Sequence, residues 1–88
     1  MEKKLGIYLK EMRLNAGLSQ GEVAKRLNYK TAQFISNWER GLSEPPITTL
    51  KKLSELYHVD IEDLFEITLK HFTDKITTKM RRRFFWKI

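Results

Sequence analysis

The stretch Ser19 to Gly41, SQGEVAKRLNYKTAQFISNWERG, constrains this chain more than any other. It reads as two short helices joined by a tight turn. Ser19 is a good N-cap, and Glu22 stands three residues on, the spacing of a capping box. Val23, Ala24 and Leu27 then give one apolar face. Asn28 comes where the helix must stop, and a left-handed backbone suits Gly best and Asn next. Thr31 is placed to cap a second helix running to Arg40, and Gly41 closes it.

That second helix splits into two faces. At about 100° per residue, Phe34, Ile35, Trp38 and Glu39 fall on one side. Gln33, Ser36, Asn37 and Arg40 fall on the other. The second face is short, polar, rich in amides and free of carboxylate. A merely solvated helix face more often mixes Glu with Lys. Side-chain amides can pair in bidentate fashion with adenine in a major groove, where phosphate would repel a carboxylate. The blander reading is an ordinary polar helix face, and the two-helix context weighs against it.

With 88 residues the chain suits one small domain with a modest core. The net charge of +6 suits an acidic partner, nucleic acid or an anionic membrane surface. The excess is concentrated. Residues 1–65 carry ten Lys/Arg against nine Asp/Glu, and residues 66–88 carry seven against two. There is no Cys, hence no disulfide framework and no cysteine metal site. His58 and His71 are isolated and form no metal cluster, so neither metal nor cofactor is expected. No signal pattern and no apolar run of about 18 residues appears, which points to a cytoplasmic protein.

The rest of the chain supplies further helices. Leu5, Leu9 and Met12 recur as i, i+4, i+7 and predict a helix over roughly 4–15. Arg13 borders that stripe. Glu39 is the odd member of the apolar face of its own helix, and a buried carboxylate needs a partner. Arg13 is the candidate; the alternative is that both reach water at the rim. Pro45 and Pro46 interrupt helix, after which Ile47, Leu50, Leu53 and Tyr57 mark a fourth one ending near His58. Asp60 is an N-cap for a fifth helix begun by Ile61, Leu64 and Phe65.

Residues 5–65 resemble the helix-turn-helix domain of the phage repressor and Cro family, the XRE-type regulators. The resemblance lies in Met12-Arg13, Leu18-Ser19-Gln20, Val23-Ala24, Ile35-Ser36, Glu39-Arg40-Gly41, Pro45, and Val59 with Leu64, in that order and spacing. It implies an all-α fold with a five-helix DNA-binding domain over residues 1–65; the apolar periodicity that continues past it predicts a helical C-terminal extension over 66–88. It implies base contacts from Gln33, Ser36, Asn37 and Ala32. It implies phosphate contacts from Gln20, Ser19, Thr31, Lys30 and Arg40, with Gln20 also bracing the recognition helix. Arg13 and Glu39 match an ion pair of the family. Three departures stand out. Asn28 to Phe34 is one residue longer than the usual turn, which leaves the register of Lys30 to Gln33 open. Asn28 stands where Gly usually opens the turn. The loop Leu42-Ser43-Glu44 lacks the family's basic residues, so phosphate contacts there fall to backbone N–H groups.

The tail lies beyond the resemblance. Leu69, Phe72, Ile76, Met80 and Phe84 recur every three or four residues, as one long helix or as a fifth plus a sixth. Residues 80–88 read MRRRFFWKI, basic then aromatic. A dimer-forming helix, a phosphate-contacting arm, a membrane-surface anchor and a helix folded back on its own domain all fit this pattern. Dimerisation through Leu69, Phe72, Ile76 and Met80 is the favoured reading, because two-fold dimers are the commonest oligomers. Membrane attachment would rest on the last nine residues alone. The expected function is a homodimeric repressor on a palindromic double-stranded DNA operator. The alternative is a protein-interaction module, such as an antitoxin or anti-regulator, whose tail binds a partner protein. No nucleophile–base set or phosphate-cradling Gly loop points to an enzyme.

Overall fold

The computed structural model describes residues 4–86. The side chains of 85 and 86, and residues 1–3, 87 and 88, lie outside that description, and with them the interfacial role weighed for the aromatic end. Among the described residues there are five helices and no strand: α1 Lys4–Asn15, α2 Gln20–Arg26, α3 Gln33–Arg40, α4 Ile47–Tyr57 and α5 Ile61–Trp86. None is long and apolar enough to cross a membrane.

The core forms where the apolar stripes of all five helices converge. Leu5 and Leu9 of α1, Val23 of α2, Ile35 and Trp38 of α3, Leu53 of α4 and Leu64 of α5 are all buried there. α1 lies against α3 unusually closely. A Cβ on Gly6 would stand 2.5 Å from the Glu39 carbonyl oxygen and 2.7 Å from that of Trp38. Only glycine fits at such an approach of backbone to backbone.

The turns are set by local chemistry. The Ser19 Oγ accepts from the Glu22 N–H at 3.0 Å, and Glu22 Oε1 accepts from the Ser19 N–H at 2.8 Å. Two of the donors left unpaired at the α2 start are thereby satisfied. Asn28 takes the left-handed backbone with φ 64°, and the Tyr29 N–H closes back on the Ala24 carbonyl at 2.8 Å. Gly41, φ 79°, ends α3 in a Schellman turn: its N–H reaches Trp38 O, and the Leu42 N–H reaches Asn37 O at 2.9 Å. His58 ends α4 in the same left-handed region.

Two expectations about α3 are corrected. The helix begins at Gln33, with Ala32 at the cap position, where no side chain bonds. Thr31 stands one residue further back, and its Oγ1 accepts from the Gln33 N–H at 3.2 Å in a local side-chain turn. Phe34, placed on the inward face, is 54% exposed. Ile35, Trp38 and Glu39 fill the inward stripe, and Phe34 at its edge rests on the Tyr29 ring at a centroid distance of 5.1 Å.

The tail forms one helix. α5 has 26 residues and runs through 65 and 66 without a break. Thr77 and Thr78 do not interrupt it, since no Gly or Pro stands nearby to break the backbone ladder. Leu64 and Thr68 are buried against the body, and the Thr68 hydroxyl donates to the Leu64 carbonyl at 2.7 Å. Beyond His71 the helix faces solvent more on every side, and the molecule stretches to 49 Å in its longest dimension.

Candidate nucleic-acid interface

Glu39 is the hub that fixes α3. The Arg13 Nε donates to Glu39 Oε2 at 2.7 Å, and Arg13 Nη2 donates to Oε1 at 3.0 Å. The Gln20 Nε2 donates to the same Oε1 at 2.9 Å. Arg13 Nη1 donates to the Leu18 carbonyl at 2.9 Å. One carboxylate thus joins the end of α1, the start of α2 and the last turn of α3. The ion pair lies inside the molecule, its two charged side chains only 8% and 3% exposed, while the bonds to Gln20 and Leu18 are part-buried. The adjoining Tyr57 hydroxyl is pushed well above the usual phenol range, first by burial and then by the Glu39 charge, against a pull from Arg13.

Fixing the inward side of α3 fixes its outward side as well. Gln33 and Arg40 are exposed there, and Ser36 and Asn37 are half-buried. The face is internally bonded. Gln33 Nε2 donates to Asn37 Oδ1 at 2.9 Å, and Arg40 Nη2 donates to the same oxygen at 2.9 Å. Asn37 Oδ1 therefore already accepts from two donors, while its amide N–H groups remain available. The face displays donors from Asn37, Gln33 and Arg40 and carries no negative charge.

The remaining candidates lie on other elements and in the turn before α3. Ser19 and Gln20 open α2, and Gln20 keeps a second amide N–H beyond the one spent on Glu39. Lys30 and Thr31 are exposed in the α2–α3 turn, and Ala32 is half-buried at the foot of α3. The tail residues Leu69, Ile76 and Met80 lie on α5, 49%, 56% and 65% exposed, with Phe72 half-buried beside His71.

Three features escaped sequence reasoning. Gly6 admits the α1–α3 contact; its signal was a glycine inside an apolar helical pattern. Tyr29 bridges Phe34 and Trp38, at 5.1 and 5.9 Å between ring centroids. Glu44, in the loop after α3, accepts from the Lys75 Nζ at 2.7 Å and lies 3.0 Å from the His71 Nε2. Burial works to raise the Glu44 carboxyl, and the bonds from Lys75 and His71 outweigh it and hold it below the usual carboxylate range. This clasp ties α5 to the loop that leaves α3, across 27 and 31 residues of sequence.

Comparison with known proteins places this arrangement. The helix-turn-helix family pattern matches residues 9–64. The chain is 42% identical over 73 residues to the HTH-type transcriptional regulator ImmR of Bacillus subtilis (strain 168), covering 80% of this chain and 57% of that protein. It is 26% identical over 73 residues to the cryptic phage CTXphi transcriptional repressor RstR of Vibrio cholerae, covering 83% of this chain and 65% of that protein. The chain spans about three-fifths of the length of these relatives. With five helices, the α2–turn–α3 unit at their centre and a match over most of its length, the chain belongs to the helix-turn-helix family of phage-repressor type.

Proposed function

We propose that this protein is a sequence-specific DNA-binding transcription regulator, a homodimeric repressor acting in the cytoplasm that reads a palindromic operator with α3 in the major groove. The observation that carries the reading is the outward face of α3. It has amide and guanidinium donors, no carboxylate, and an inward side locked to α1 and α2 through Glu39. Such locking positions donors before the DNA arrives, so less side-chain freedom is lost on binding. The names of the two relatives, a transcriptional regulator and a transcriptional repressor, agree with it.

In this reading Gln33, Asn37, Ser36 and Ala32 face base edges. Ser19, Gln20, Lys30, Thr31 and Arg40 contact the phosphates on either side and hold the register. The exposed residues of α5 pair two copies, so that two recognition helices meet half-sites about 34–36 Å apart. The activity is binding, with neither cofactor nor catalytic step.

Selection of bound sites from random DNA at a stated salt concentration tests the proposal. A recovered sequence with two inverted half-sites is the expected result. Failure to enrich any sequence, with one protein captured instead through α5, would favour an interaction module.

A further inference from the structure

We propose that α5 pairs with α5 of a second copy in the antiparallel sense, about a two-fold axis passing between positions 72 and 73. This rests on the homodimer reading above and adds its sense and register.

The first observation is a stripe committed on one side only. Leu64 and Thr68 hold one face of α5 against the body, and His71 is half-buried on that same face. On the other side Phe65, Leu69, Ile76 and Met80 are 50%, 49%, 56% and 65% exposed. A row of large apolar side chains of this length is more than isolated surface residues account for.

The second observation is the spacing within that row. Phe65 and Met80 lie equally far on either side of the point between 72 and 73, and so do Leu69 and Ile76. A two-fold contact must be self-complementary: if residue i meets residue j, then j meets i. With the axis at that point, Phe65 of each copy meets Met80 of the other, and Leu69 meets Ile76. The two Phe72 side chains flank the axis.

Charge sets the sense. The start of the helix carries Asp60, Glu62, Asp63 and Glu66, with no Lys or Arg from 60 to 69. Its far end carries Lys79, Arg81, Arg82 and Arg83, with no acid from 75 to 86. Parallel pairing would lay acid on acid and base on base, which penalises that geometry. Antiparallel pairing lays the acidic start of each helix along the basic end of the other. Lys70 and Lys75 also come into register, and each already has its own carboxylate, Asp74 at 3.2 Å and Glu44 at 2.7 Å.

The chain has no cysteine, so single cysteines in the full chain report the register directly. A disulfide needs the two Cα atoms within about 7 Å. In the antiparallel register two copies of position 69 lie roughly 10 Å apart along the axis, at 1.5 Å per residue. Thr73→Cys should therefore form a covalent dimer on mild oxidation at micromolar concentration. Leu69→Cys mixed with Ile76→Cys should give the mixed dimer, while each alone stays unlinked. All three positions are exposed, and an unchanged helical circular dichroism spectrum confirms the fold of each variant. Efficient self-linking of Leu69→Cys and of Ile76→Cys would establish parallel helices and overturn the proposal while leaving the homodimer. No linking in a chain that sediments as a dimer would move the contact elsewhere and also overturn it. No linking in a monomeric chain would overturn the homodimer reading along with it.

Discussion

Arg13 and Glu39 make a two-pronged ion pair at 2.7 and 3.0 Å, and Gln20 completes it at 2.9 Å from the same carboxylate. The pair sits between α1 and α3, where water cannot compensate either charge. Removing one partner leaves the other buried and unpaired, which costs about 3–5 kcal/mol. Glu39→Ala and Arg13→Ala should each lower stability by this order in urea denaturation. The double variant should lose clearly less than the sum, because neither charge is then stranded. Additive losses would mean that the two side chains do not interact.

Gly6 is a stricter constraint than its size suggests. A methyl group there meets backbone carbonyls at 2.5 and 2.7 Å, and backbone cannot swing aside as a side chain can. Gly6→Ala gains helix propensity of up to about 1 kcal/mol relative to glycine. The clash forces α1 away from α3 and should outweigh that gain, with a net loss of about 1–3 kcal/mol. A stabilised variant in thermal melting would show that α1 and α3 are not so close.

The parts legible in the sequence are those written in local spacing. Ser19 and Glu22 announce the α2 start, Asn28 and Gly41 the left-handed stops of α2 and α3, and the apolar periods the five helices. The Arg13–Glu39 contact was also open to argument, because a charge on an apolar face demands a partner. What could not be read depends on which distant backbones meet. Nothing near Gly6 says that α3 lies on it. Nothing near Glu44 says that His71 and Lys75 will reach it, because that follows from the direction α5 takes. Phe34 departs from its inward assignment because a residue at the edge of an apolar stripe is buried or exposed according to its neighbours, here Tyr29. Thr77 and Thr78 make the length of α5 ambiguous in the sequence, and their weak propensity is overridden by an otherwise unbroken helical run.

The clasp on Glu44 makes stability depend on acidity. The carboxyl is held below its ordinary value of 4.5 in the folded protein. A group with a depressed folded pKa stabilises above its unfolded value and loses that contribution as pH falls through the folded one. Stability should therefore fall from about pH 5 downward, and Glu44→Gln should flatten part of that fall. Glu22 titrates with the same sign, depressed chiefly by the Ser19 backbone N–H, so a residual slope is expected in the variant. Lys75→Ala at neutral pH should cost at most about 1 kcal/mol, since that partner is 59% exposed. An identical pH profile for Glu44→Gln and the parent chain would remove the clasp from the account.

The bonds within the α3 face set a condition on the base reading proposed for Asn37. Its Oδ1 is occupied by Gln33 and Arg40, both at 2.9 Å. Bidentate pairing with adenine needs that oxygen as an acceptor together with the amide as a donor. Pairing with adenine therefore requires Gln33 and Arg40 to release Asn37, and binding to phosphate gives Arg40 a reason to do so. Asn37→Ala should cost roughly 1–3 kcal/mol on the selected site and little on random DNA. Arg40→Ala should weaken both and reduce the salt dependence by about one unit of slope. It should also leave Asn37 Oδ1 bonded to Gln33 alone, so part of the lost affinity returns as easier release of that oxygen. The loss on the selected site should then be smaller than the loss on random DNA. Equal losses on both sequences would show that Arg40 does not restrain Asn37. An unchanged salt slope would place Arg40 away from the phosphates altogether.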